Sequence, residues 1–239
     1  MQLGIRLILD GRPPPEANMA RDLQLLQDVA KGRISGALRI YNWKSPAITI
    51  GHHQKSFRPY DNTLDIPVIV RPTGGGAVLH VNDITYALAT PMKGVFASGL
   101  IETYALISKA FAYALFRIGL DVDIKEGGTG FSKLCFARKA PMDITLCGKK
   151  LMGSAQLRTN GCLLQQGVIP ISVDKTLITR AFGPDALSWV TSIREVVPSF
   201  DMDAFIHHLR HGFSTVLDVC LSNSNSDDAQ CCHAYTGDV

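Results

Sequence analysis

Short apolar runs and helical stretches divide most of this chain into readable elements. Ile5 to Leu9 predicts a first strand, ended by Asp10-Gly11 and the breaker Pro13-Pro14-Pro15. A helix is predicted from Glu16 to Ala30. Met19, Leu23, Leu26 and Ala30 recur at helical spacing and Gly32 stops it. Short β-type runs follow at Ala37 to Trp43, Ala47 to Ile50, Ile66 to Val70, Ala77 to His80 and Ile84 to Ala89. A long helix is expected over Leu100 to Ile118, with Ile101, Ala105, Ser108, Ala112 and Leu115 on one face. Two strands, Met142 to Leu146 and Lys150 to Leu157, are joined by the hairpin-like tip Cys147-Gly148-Lys149, and Gly161 to Ile169 makes another. Lys175 to Phe182 and Met202 to Leu217 read as helices.

Strands that cluster between helices and connect mostly by short turns indicate an α+β fold. A largely antiparallel or mixed sheet with helices packed on one side is expected. There is no regular βαβ alternation, no GxGxxG after the first strand and no GxxxxGK[ST], which weakens dinucleotide-fold and P-loop readings. Residues 1–220 are expected to form one domain. From Leu221 the chain turns to Ser, Asn and Asp, so 221–239 is expected to be a polar, disordered tail.

Hydrophobic residues make up 46% of the 239 and charged residues 19%, enough to bury a sizeable core. The net charge of +3 suits an acidic protein partner, and no Lys/Arg cluster argues for nucleic acid. Met1 to Leu9 lacks the cationic start and apolar core of a signal peptide. The apolar region Gly94 to Leu120 is interrupted by Glu102, Lys109 and Arg117, so it predicts a buried helix and not a membrane span. The six cysteines show no metal-type spacing and are expected to be reduced thiols in a cytoplasmic protein, with no metal site.

Two segments carry candidate chemistry. In Arg71-Pro72-Thr73-Gly74-Gly75-Gly76-Ala77-Val78-Leu79-His80, three glycines join two strands. A hairpin needs one or two. Glycine lets a ligand lie against the peptide plane, and a guanidinium beside it offers bidentate recognition of a carboxylate or phosphate. The competing reading is a flexible hairpin tip. In Lys150-Leu151-Met152-Gly153-Ser154-Ala155-Gln156, a lysine opens a strand that immediately becomes small, leaving room for another body. A lysine facing such a site holds an oxygen as a point charge. A solvated hairpin lysine is the bland alternative, and Lys149 fits it better than Lys150.

Four segments, taken together, resemble the catalytic domain shared by lipoate–protein ligases, octanoyltransferases and biotin–protein ligases, and within it the lipoate branch. Asn18-Met19-Ala20-Arg21-Asp22 resembles the family's N-M-A-x-D. Arg39-Ile40-Tyr41-Asn42-Trp43, with Gly51-His52-His53-Gln54, resembles its R-x-Y-x-W and G-x-x-Q. Arg71 to His80 and Lys150 to Gln156 resemble R-x-[ST]-G-G-G-A-V-x-H and K-[IVL]-x-G-S-A-Q. The resemblance implies an enzyme that acylates the lysine of a lipoyl domain, on a 2-oxoacid dehydrogenase E2 or a glycine cleavage H protein. It implies that Gly74, Gly75 and Gly76 lie over the acyl group and that Arg71 and Thr73 position its head. His80 closes the loop, Lys150 stabilises charge on the carbonyl or phosphate oxygen, and Gly153, Ser154 and Ala155 line the substrate site.

Two chemistries exist within that family. One branch takes an octanoyl thioester from acyl carrier protein without a cofactor, through a nucleophilic cysteine; the other uses ATP and Mg2+ to make an acyl-adenylate. Leu134-Cys135-Phe136 upstream of Asp143-Ile144-Thr145 and Lys150 resembles the cysteine branch and implies Cys135 as nucleophile, activated as thiolate. The alternative for Cys135 is a small buried hydrophobe. Gln166 stands where the transferase pattern L-L-Q-H-G-S has histidine, and Gly76 is ligase-like. The preferred expectation is the cysteine transferase. The ATP-dependent ligase and a non-catalytic acyl-binding relative are the alternatives.

Overall fold

The computed structural model describes residues 3–125 and 141–223. In chain order the elements are β1 (Leu3–Leu9), α1 (Pro15–Ala30), β2 (Ala37–Tyr41), β3 (Ala47–Ile50), β4 (Val68–Val70), β5 (Val78–His80), β6 (Asn82–Pro91), α2 (Leu100–Arg117), β7 (Asp123–Ile124), β8 (Ile144–Leu146), β9 (Lys149–Thr159), β10 (Cys162–Ser172), α3 (Lys175–Phe182), α4 (Met202–Leu217) and β11 (Val219–Asn223). Eight strands form one mixed sheet in the order β11-β1-β2-β6-β10-β9-β8-β7, and β4-β3-β5 form a second, smaller sheet. β1 runs parallel to both β2 and β11, while β2 and β6, β6 and β10, and β10 and β9 are antiparallel. The α+β expectation holds.

The helices do not lie on one side. Along β6, Ile84, Tyr86 and Leu88 enter a core with Phe111 of α2 and Phe213 of α4, whereas Ala87 and Ala89 enter another with Met19 and Leu26 of α1. Alternate residues of a strand face opposite ways, so the large sheet is covered on both faces. This explains why β6 is buried along nearly its whole length and lacks the polar-out alternation of a one-sided sheet.

The turns obey local chemistry. Cys147 and Gly148 both take positive φ (48° and 75°) in the tip between β8 and β9, as do Asn160 and Gly161 (50° and 70°) between β9 and β10. Two consecutive left-handed residues are what a tight hairpin between right-twisted strands requires. β11 crosses the boundary expected after residue 220: Leu221, Ser222 and Asn223 pair with Ile5, Arg6 and Leu7. The sheet thus extends into the segment read as a tail. Among the described residues no helix is long and apolar enough to cross a membrane.

Candidate active site

On the α1 face of the sheet, β9 and β10 form one wall of a cleft and the glycine segment after β4 forms another. Gly153, Ser154 and Ala155 line the first with Gln166, Gly167 and Val168; Arg71, Gly75, Val78 and His80 line the second; Met19, Tyr41 and Trp43 close it. The cleft holds about 410 Å³ of empty space, part of it open to solvent. That is within the range of small-molecule sites.

The glycine loop is held rigidly. Arg71 is buried, and it donates from Nε and Nη2 to Gly74 O (3.0 and 2.6 Å) and from Nη2 to Gly76 O (2.8 Å). Its Nη1 reaches Thr49 O at 3.2 Å. The guanidinium fork therefore satisfies the loop's own carbonyls. Gly75 sits at φ +89°, and a Cβ there would lie 2.9 Å from Arg71 Nη2. Gly51 explains itself too: a Cβ there would meet Gly75 O at 2.3 Å, so only glycine lets the two backbones touch.

Thr73 anchors the loop to the sheet. Its buried hydroxyl donates to Gln166 Oε1 at 2.8 Å, and Gln166 Nε2 donates to Asp22 Oδ2 at 2.6 Å. Asp22 also accepts from Arg39 Nη1 (2.6 Å) and Tyr41 Oη (2.8 Å). Arg39 continues the network to Asn18 Oδ1 (2.7 Å) and Asp10 Oδ2 (2.7 Å), and its guanidinium lies 3.8 Å over the Tyr41 ring. Burial pushes the Asp22 carboxyl above its ordinary range, and Arg39 is the largest influence opposing that shift. Asn18, Asp22, Arg39 and Tyr41 were legible as motif residues, but this convergence was not. The buried stripe of α1 is Asn18, Met19, Asp22, Leu26 and Val29; Leu23 and Ala30 of the expected stripe are exposed.

His80 has both ring nitrogens engaged. Nδ1 lies 3.1 Å from Asp83 Oδ2 and Nε2 lies 2.9 Å from Thr49 Oγ1, while the ring stacks on Trp43 at 4.1 Å. Thr85 Oγ1 accepts from Trp43 Nε1 and donates to Asp83 Oδ1. This pattern assigns the proton to Nδ1 and makes His80 a wall of the cleft held by its neighbours.

Lys150 reaches the cleft face through an irregularity. In β8 and β9, Ile144 pairs with Met152 and Thr145 with Lys150, so Leu151 is an extra residue. Without it, strict alternation would turn Lys150 to the core side with Met152; the bulge brings Lys150 to the same side as Gly153 and Ala155. Lys150 is buried there with Nζ 2.7 Å from Asp143 Oδ2, and its backbone N–H donates to Trp189 O at 3.3 Å. Cys135, the expected nucleophile, lies outside the described residues. Among the described residues no group of three or more His, Cys, Asp or Glu is placed to hold a metal ion.

Comparison with known proteins agrees with this geometry. The lipoyl protein ligase A/B catalytic domain family matches residues 14–214. An octanoyltransferase LipM from Carboxydothermus hydrogenoformans is 34% identical over 184 residues, covering 74% of this chain and 68% of the relative. Among solved structures, a lipoate-protein ligase A bound with ATP superposes with a TM-score of 0.74 at 20% identity, covering 92% of this chain and 88% of its own. A bi-partite lipoate protein ligase from Thermoplasma acidophilum, described with its E2 lipoyl domain, superposes with a TM-score of 0.70 at 20% identity, covering 92% and 86%. At that identity the structures speak for the fold. The family match spans most of the chain and the relative is matched over two thirds of its length, so the chain belongs to the lipoyl protein ligase A/B catalytic-domain family and is an enzyme of that family.

Proposed function

We propose that this enzyme is an octanoyltransferase of protein lipoylation. It takes an octanoyl group from acyl carrier protein and passes it to the lysine of a lipoyl domain on a 2-oxoacid dehydrogenase E2 or a glycine cleavage H protein. The observation that carries this reading is the bulge-directed Lys150, set on the same face as an apolar cleft roofed by the Arg71-clamped glycine loop. The similarity to octanoyltransferases supports the choice of donor.

In this reading the octanoyl chain lies in the cleft between Gly153–Ala155 and the glycine loop. The Cys135 thiolate attacks the thioester carbonyl; a carbon–sulfur bond to Cys135 forms as the donor's carbon–sulfur bond breaks, and the carrier thiolate leaves and takes up a proton. The neutral amine of the lipoyl-domain lysine then attacks the acyl-cysteine, and the carbon–nitrogen bond forms as the carbon–sulfur bond to Cys135 breaks. The amine's proton passes to solvent, matching the one taken up by the carrier thiolate, and the Cys135 thiolate is released. Lys150, a fixed cation, stabilises the negative charge on the carbonyl oxygen in both steps. Neither step needs ATP or Mg2+.

The test offers a lipoyl domain with either octanoyl-acyl carrier protein or octanoate plus ATP and Mg2+. Octanoylation from the thioester alone, abolished by Cys135→Ser, is expected. Octanoylation that requires ATP and survives Cys135→Ser would assign the ligase chemistry instead, and tight octanoate binding with no product from either donor would mark a non-catalytic binder.

A further inference from the structure

The tripeptide Asp-Ile-Thr occurs twice in the large sheet, at residues 83–85 of β6 and at 143–145 entering β8. Both isoleucines enter the core shared with α2 and α4, so each aspartate and threonine face the opposite way together, toward the cleft side. Each aspartate is buried against a basic side chain: Asp83 Oδ2 lies 3.1 Å from His80 Nδ1, and Asp143 Oδ2 lies 2.7 Å from Lys150 Nζ. The threonines differ. Thr85 Oγ1 donates to Asp83 Oδ1 at 2.6 Å, whereas Thr145 Oγ1, fully buried, makes no hydrogen bond with any described residue.

A buried hydroxyl without a partner destabilises the resting protein, and its place explains why it is kept. Thr145 is the register partner of Lys150, so the two side chains stand next to each other, with Asp143 two residues away on the same face. As an oxyanion forms at the acyl carbonyl, Lys150 Nζ turns its charge and N–H groups to that oxygen. Asp143 is then a buried carboxylate with weakened compensation, a strongly destabilising state. We propose that Thr145 is a positioning residue for Lys150: its hydroxyl turns to donate to Asp143 as Lys150 engages the substrate oxygen, a role that rests on the function proposed above. The first Asp-Ile-Thr shows that threonine at this spacing reaches the carboxylate, so a turn about χ1 is the movement required. A hydrogen bond made only as charge develops raises kcat and leaves substrate binding unchanged.

Two substitutions separate this role from packing. Thr145→Val keeps the shape and removes the hydroxyl; Thr145→Ser keeps the hydroxyl and removes a methyl group. Transfer from octanoyl-acyl carrier protein to a lipoyl domain and urea unfolding of the same proteins are expected to rank them in opposite orders. Thr145→Val should lower kcat about 10- to 100-fold with KM little changed, the loss expected for one hydrogen bond to a charged group. Its unfolding midpoint should equal or exceed that of wild type, because the resting enzyme makes no bond through the hydroxyl. Thr145→Ser should recover most of the kcat and unfold at lower urea, having lost a buried methyl group. Wild-type kcat in Thr145→Val, or serine no better than valine, would overturn the proposal. So would a midpoint lowered by Thr145→Val, down to failure to fold, since the hydroxyl would then be bonded in the resting enzyme. If wild type transfers from octanoate plus ATP and not from the thioester, the octanoyltransferase reading fails, and the same ranking in the ATP-driven reaction decides the role of Thr145 by itself. No transfer from either donor overturns both.

Discussion

Two buried pairs of a cation with an aspartate stand on the same face of the sheet, and they are built for different ends. Arg39 and Asp22 sit at the α1 side, Lys150 and Asp143 on β9 and beside β8. Arg39 spreads its fork over Asp10, Asn18 and Asp22 and stacks on Tyr41, so every direction of the guanidinium is used to fix α1 against β2. Its planar, permanently charged group suits a weld. Lys150 presents a compact ammonium on a flexible stem, delivered to the cleft face by an inserted residue that regular pairing would not tolerate. In the function proposed above, the same ion-pair chemistry serves as scaffold in one place and as reaction site in the other. The side chain's geometry decides which.

The difference can be broken from the scaffold side. Arg39→Met removes the cation from a fully buried carboxylate and should cost about 3–5 kcal/mol of stability. Urea unfolding would measure this; a midpoint unchanged from wild type would show that the network does not hold α1. On the reaction side, Lys150→Ala should lower kcat for octanoyl transfer about 100- to 1000-fold, the cost of losing one group that stabilises the oxyanion. That substitution also strips the cation from beside Asp143, so some stability is lost with it. The double variant Lys150→Ala/Asp143→Asn should recover stability and recover no activity. If activity returned with stability, Lys150 would be a second weld and the contrast would collapse.

How much of this could be read beforehand follows the same division. The glycine loop, Lys150 and the small residues after it were legible as candidates, but three glycines also suit a hairpin tip and a lysine a solvated turn. It was four segments in order, and not local chemistry alone, that marked them as one site. The α1 face was misjudged because apolar spacing treats Asp22 as polar and exposed, whereas a partner distant in sequence, Arg39, makes it buried and Leu23 exposed. α2 shows the same limit: Ile101 is exposed while Thr103, Ile107 and Phe111 are buried, because packing on α4 sets the rotation. The Leu151 bulge was invisible, since a period of two cannot announce where it will be broken. Gln166 looked like a role lost with a histidine. It proves to be the link between the loop and the α1 network, because an amide can donate to Asp22 and accept from Thr73 at once.

That link permits a smaller test. Gln166→Leu leaves the buried Thr73 hydroxyl without its acceptor and should cost about 1–3 kcal/mol of stability. It should also raise KM for the octanoyl donor more than it lowers kcat, because the loop would lose its anchor while Lys150 stays in place. Gln166→His retains one donor and one acceptor in its neutral ring and should restore most of the KM. Equal damage from both substitutions would mean that volume, and not the relay of hydrogen bonds, is what the position requires.

The smallest effect is expected at a third ion pair, which calibrates the other two. Asp61 and Arg180 join the loop before β4 to α3 at 2.7 Å, with side chains 27% and 41% exposed. Thr63 and Arg180, in that order, hold the Asp61 carboxyl down to about 2, from an ordinary 3.8. Because the folded value is the lower one, the pair favours folding above pH 3.8, and its contribution is lost as pH falls from 3.8 through about 2. Asp22 has the opposite sign: its folded value is raised by burial, so its titration favours folding below pH 3.8 and that contribution is lost as pH rises through the raised value. Asp61→Asn should therefore flatten the acid limb of the stability curve between about pH 4 and pH 2, lower neutral stability by only that small contribution, and leave transfer activity close to wild type. Thermal unfolding followed across that range would measure it. A loss at neutral pH approaching that of Arg39→Met would mean that exposure does not separate these pairs, and the scaffold role of Arg39 would need a cause other than its burial.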